Sequence, residues 1–149
     1  MKFAKQISIA ATALTVSVAS VTAHADATNP AVIKRMEAMK AIGGSMKTLS
    51  GMAKGEMDFD AAKANAAVAT IAEKGMMVPA LFEANEADPA TEALPAIWEN
   101  WDDFVKKTDN MVMAAKGVSE IADQGAIGAA LGQIGGTCKA CHDDYRKKK

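Results

Sequence analysis

Close to the C-terminal end of the chain stand Cys138-Lys139-Ala140-Cys141-His142. On a helix, residues three and four apart share a face. Cys138, Cys141 and His142 are spaced i, i+3 and i+4, so one helical turn presents two thiols and an imidazole together. C-x-x-C-H is the attachment pattern of a c-type haem. Two thiols add across the vinyl groups of the porphyrin, and the adjacent imidazole binds the iron from one face. The motif therefore demands a helix here and, against it, a space as large as a porphyrin. Other uses of these residues fit less well. A redox CxxC sits near the start of a helix in a βαβ setting, and no strand pattern lies nearby. A structural zinc site takes four Cys or His ligands, whereas the chain has two cysteines and two histidines. A plain disulfide stays open on spacing but leaves His142 unexplained.

Residues 1–25 read as a cleaved secretory signal peptide. Lys2 and Lys5 form a basic start, Ile7 to Val21 is an apolar run broken by small polar residues, and Ala23-His24-Ala25 is an A-x-A cleavage site. Cleavage before Asp26 leaves residues 26–149 as a single domain. No second apolar run approaches a membrane span, so no membrane anchor is expected. In a bacterium with an outer membrane, the destination is the periplasm. Of 17 basic residues, loss of Lys2 and Lys5 leaves 15 against 18 acidic ones, a balance that does not suggest nucleic acid. The Arg146-Lys147-Lys148-Lys149 run reads as a solvated helix end offsetting the helix dipole; whether it also steers a redox partner is left open. Loss of His24 makes His142 the only histidine. A bis-histidine haem and any histidine general acid or base are thereby excluded. No catalytic residues are expected, and peroxidase chemistry, which wants a distal acid/base, is disfavoured. Methionine is the plausible donor if the iron takes a second protein ligand.

Apolar periodicity predicts four helices. The first spans Pro30–Lys54, with Asn29 as N-cap and the stripe Val32, Met36, Met39, Gly43 and Met46. Gly43-Gly44, costly inside a helix, implies close approach by a neighbouring helix or the haem. The second spans Asp60–Phe82, with an Ala62, Ala66, Ala69, Ala72 packing face and a break or kink at Gly75 and Pro79. After a loop at Glu83–Leu94, the third spans Pro95–Ala122 with the stripe Ile97, Trp101, Phe104, Thr108, Met111 and Ala115. The fourth spans Ala126–Lys147 with the stripe Ile127, Leu131, Ile134, Cys138, Cys141 and Tyr145. The attachment cysteines thus continue a core seam, and the haem belongs inside the bundle. The expected fold is all-α, an antiparallel up-down-up-down four-helix bundle with haem in its core.

The leader, the four-helix pattern and the C-terminal Cys-Lys-Ala-Cys-His-Asp-Asp-Tyr-Arg-Lys-Lys-Lys resemble the class II c-type cytochromes, specifically the cytochrome c prime family. The resemblance implies one covalent haem c on Cys138 and Cys141, with His142 as axial iron ligand. It places Arg146 beside the proximal haem face, where it helps control the side on which small gases bind. It places Arg35 near a haem propionate, although spacing alone reads it equally as a surface charge. Met36 stands where the family often has Gln, which makes the pocket more apolar. Glu92 falls where a polar residue often lies near the haem edge. Met39 matches the residue over the distal face, non-coordinating in the five-coordinate members and an iron ligand in the low-spin relatives. The expectations are NO or CO binding and single-electron transfer with a periplasmic redox partner. The alternative is a low-spin carrier with His142/Met39 ligation. Homodimerisation through the first two helices and a monomer are equally compatible with the pattern.

Overall fold

The computed structural model describes residues 26–148; the signal-peptide expectation lies outside the described residues. Within them the chain forms helices α1 (Pro30–Ala53), α2 (Ala61–Phe82), α3 (Ala96–Glu99), α4 (Trp101–Lys116) and α5 (Gln124–Tyr145). The four long helices form the bundle: α1 packs on α2 and α5, and α4 packs on α2 and α5. The single-turn α3 lies against α4 and α5.

Each long helix starts where its sequence supplies a cap. The Asn29 side chain accepts from the Ala31 and Val32 amides, followed by Pro at the first turn. Asp60 accepts from Lys63 N at 2.9 Å, and Asp123 from Ala126 N at 3.0 Å. The chain leaves α1 through Gly55, whose φ of 70° suits glycine.

Four expectations change. The predicted third helix is two elements. Asn100, at φ −128° and ψ 48°, interrupts it and folds its side chain back onto Ala96 O. Asp102 and Asp103 then sit in the first turn of α4, where acidic groups complement the dipole. That helix also stops at Lys116, short of Ala122. Ile121 instead buries itself in the following loop, held by Asn65, which accepts from its amide and donates to its carbonyl. Second, α2 runs through Gly75 and Pro79 to Phe82. Third, its buried face is Ala64, Ala67, Val68, Ile71, Ala72, Gly75, Val78 and Phe82; of the expected face Ala72 is buried, while Ala62, Ala66 and Ala69 face outward. In so alanine-rich a helix the small residues do not set the face; the branched and aromatic side chains do. Fourth, α5 ends at Tyr145; Arg146 is its C-cap and Lys147 lies beyond it. They extend alongside residues 92–94, with a bridge between Ala93 and Arg146.

On α1 the sealed seam is Val32, Arg35, Ala38, Ile42, Ser45, Leu49 and Met52. The expected stripe of Met36, Met39, Gly43 and Met46 is only partly covered. It forms part of the wall of a cavity inside the bundle.

Candidate haem site

The cavity measures about 1270 Å³, above the usual upper range of roughly 1,000 Å³ for small-molecule sites. All four long helices contribute to it. Met36, Met39 and Gly43 come from α1, and Val78 and Phe82 from α2; Phe104, Thr108 and Met111 come from α4. The fourth side belongs to α5, with Gly135, Cys138, Cys141, His142 and Tyr145. A Cβ on Gly43 would meet nothing within 4 Å, so the close approach expected there is not to a neighbouring helix. The space beside Gly43 is the cavity itself.

Cys138, Cys141 and His142 open together into this space because they share one face of α5, and the two cysteines are not joined in a disulfide. Burial pushes both thiols up, Cys141 to about 11, so they stand protonated at neutral pH. His142 is open toward the cavity but crowded by protein atoms. This desolvation, followed by the positive charge of Arg146, lowers its pKa. The neutral imidazole that results is the form that binds a metal.

The rest of the wall is largely apolar, and several of its polar groups are engaged. Thr108 donates to Phe104 O at 2.8 Å, Thr137 to Ile134 O at 2.7 Å, and Tyr145 to Asp103 at 2.6 Å. Burial and the Asp103 carboxylate raise the Tyr145 pKa to about 12, so the phenol keeps its proton. Lys107 bridges Asp103 and Asp144. Phe104 stacks edge-on against Tyr145 with ring centroids 5.4 Å apart. A flat apolar ring with two thiol anchors and one imidazole ligand fits this donor set and this volume.

The other expected residues separate into two groups. Met36, Met39, Glu92 and Arg146 all line the cavity. Met36 is 47% exposed, as suits a side chain turned toward an open pocket. Glu92 and Arg146 form an ion pair at 2.5 Å. Arg35 is different. It borders the cavity but is neither a surface charge nor available to a propionate through its bonded edge. At 3% exposure it donates from Nε to Leu81 O (2.8 Å) and from its terminal nitrogens to Glu86 O (3.2 Å) and to Ala84 O. It also lies over the rings of Phe82 and Trp98. Arg35 therefore closes the C-terminal end of α2, where carbonyls have no intrahelical partner. Spacing singled out neither Lys107 nor Tyr145 as a wall of the site. Tyr145 stood in the predicted core stripe; Lys107 had no signal beyond its charge.

A four-helix bundle with a C-x-x-C-H turn facing an apolar core cavity defines a c-type haem protein. The family profile described as Cytochrome C' matches residues 30–146, and the chain belongs to the cytochrome c' family, whose members bind haem c covalently. It is 42% identical to cytochrome c-556 of Agrobacterium tumefaciens (strain II Chrys), over 79% of this chain and 98% of that protein. Its fold matches cytochrome c' from Rhodopseudomonas palustris with a TM-score of 0.73 and 34% identity, covering 82% of this chain and 99% of that one. It also matches the nitric oxide complex of a leucine-to-alanine mutant of cytochrome c prime from Alcaligenes xylosoxidans. There the TM-score is 0.68 and the identity 31%, covering 80% of this chain and 94% of that one.

Proposed function

We propose that this electron-transfer haem protein works in the periplasm, after removal of residues 1–25, and that it binds NO or CO at an iron with one open position. Cys138 and Cys141 hold the haem, and His142 supplies the axial nitrogen. Met39 and Met36 line the wall on α1, with Arg146 and Glu92 at the His142 end. The bound haem supplies a one-electron couple and a site for a small gas. The observation that carries this reading is the opening of Cys138, Cys141 and His142 onto one largely apolar cavity in which the Thr108, Thr137 and Tyr145 hydroxyls already donate to protein acceptors. NO and CO need no donor, whereas bound O₂ is stabilised by one. No helix among the described residues is long and apolar enough to cross a membrane, in keeping with export as a free domain. No residue is assigned a catalytic role.

A second reading has its own observation. Met39 is a thioether on the cavity wall, and methionine opposite histidine is an established haem ligand pair that raises the potential. In that case the iron has no open position, and the protein is an electron carrier alone. Ferric and ferrous optical spectra with and without CO decide between them. High-spin spectra with rapid CO uptake are expected on the first reading, and Met39→Leu then leaves them nearly unchanged. A low-spin spectrum with a methionine–iron band, indifferent to CO and abolished in Met39→Leu, would establish the second. On either reading, Cys138→Ala with Cys141→Ala abolishes covalent haem in denaturing gels stained for haem.

A partner copy also enters here. A cytochrome c' with ligand-controlled dimer dissociation has been solved, 28% identical over 79% of this chain and 95% of that one, with a TM-score of 0.67. The outward Ala62, Ala66 and Ala69 stripe on α2 offers a second copy a close-packing face.

A further inference from the structure

Residues 91–94 form a strap across the end of α5. Leu94 N donates to Tyr145 O at 3.0 Å and Lys147 N to Glu92 O at 2.8 Å. Lys147 Nζ reaches Thr91 O at 2.9 Å. On this main-chain pairing sits the ion pair, with Glu92 Oε2 accepting from Arg146 Nε at 2.7 Å and lying 2.5 Å from its terminal nitrogen. Arg146 follows His142 by one turn, and its amide donates to the His142 carbonyl at 3.2 Å. Glu92, Arg146 and His142 all face the cavity. The strap thus brings a carboxylate and a guanidinium, tied to each other, to the same end of the cavity as the imidazole.

We propose that Glu92 is a positioning residue for the redox centre. It pins the Arg146 guanidinium to the strap beside His142 and offsets its charge there, so that the pair rather than Arg146 alone sets the reduction potential. This rests on the reading of His142 as the iron ligand. Reduction adds one electron, delivered by a mediator, to Fe(III) and gives Fe(II), so the site becomes less positive by one charge. A nearby anion favours the oxidised form and a nearby cation the reduced form. Within the pair the two effects largely cancel. Remove one partner, and the charge of the other is no longer offset by it; such charges act over a range set by the Debye length, about 8 Å at physiological ionic strength. The side chains keep 35% and 43% of their exposure, so salt weakens the effect without abolishing it.

The test is a spectroelectrochemical titration of the mature holoprotein and of Glu92→Gln, Arg146→Gln and the double variant, at low and high salt. The expected result is a potential raised in Glu92→Gln, lowered in Arg146→Gln, and nearer the starting value in the double variant than in either single one. The spread narrows at high salt. The main-chain pairing uses neither side chain, so the variants retain the strap, and melting curves verify this. Loosening of the fold alone would move both single variants in the same direction. That pattern, or an unchanged potential in Glu92→Gln, overturns the proposal. Failure of the ligand reading shows separately, as a ferric spectrum that His142→Ala leaves unaltered.

Discussion

Arg35 carries more of the fold than its charge suggests. Its guanidinium serves three main-chain carbonyls, those of Leu81, Ala84 and Glu86. Hydrogen bonds to a charged donor are worth roughly 1.5–3 kcal/mol. Arg35→Met is therefore expected to cost about 3 kcal/mol in urea unfolding of the holoprotein. Arg35→Lys recovers part of that, because an ammonium lacks the planar fork. None of this is written in the sequence around Arg35. Its acceptors are main-chain oxygens some fifty positions away (|i−j| of 46 to 51), and any residue type can supply those. Cys138, Cys141 and His142 are the opposite case: their chemistry resides in side-chain type and local spacing, and a single turn of helix displays it. Met36 and Met39 were legible as a stripe, because helical period survives whether the stripe meets another helix or a cavity wall.

Among the elements, α2 and α4 approach each other closely at Gly75. A Cβ on Gly75 would lie 2.8 Å from Val112 Cγ2 and 2.9 Å from Met111 Cε. The methionine end can swing away, but the branched valine cannot. Overpacking of this kind costs about 1–3 kcal/mol, against a gain of roughly 1 kcal/mol from helix propensity. Gly75→Ala is expected to lower stability by about 1 kcal/mol net. At Gly44, where nothing lies within 4 Å of the added carbon, the same substitution is expected to raise it by about 1 kcal/mol. Paired thermal melts of the two variants check the opposite signs. The elements also show where periodicity ceases to inform. On α4 the buried set Phe104, Thr108, Met111 and Ala115 follows the predicted stripe, yet the stripe continues through Ile97 across a break that it does not register. The break comes from backbone geometry at Asn100, and the ladder of apolar residues is preserved on both sides of it. On α2 the alanines crowded into its first turns, from Ala61 to Ala72, concealed the face, since small residues are compatible with either side.

At the scale of the molecule, the loop between α2 and α3 gathers the structure. Asp88 accepts from the amides of Thr28, Asn29 and Ala90 at 2.9, 2.9 and 2.8 Å, and from the Thr28 hydroxyl at 3.3 Å. The main-chain N–H groups hold its carboxyl below the usual range. A depressed folded-state pKa stabilises the protein above the unfolded value of about 3.9. That contribution disappears as pH falls through the folded value. Asp88→Asn is therefore expected to be less stable than the parent at pH 7, and the gap closes in acid below about pH 3.9. Urea midpoints across pH check this, and a gap that persists undiminished at pH 2 would rule out the carboxylate as its source.

The same loop holds both tails. Asp88 takes the segment entering α1, and Glu92 takes the segment leaving α5. Four residues of chain reach at most about 14 Å, so the two fastenings are neighbours. In its connectivity the domain is a ring closed by a buckle. A short peptide could join its ends at the buckle, and a cut at the Gly55 turn would then open the ring elsewhere, renumbering every residue while leaving each helix beside the helix it already touches.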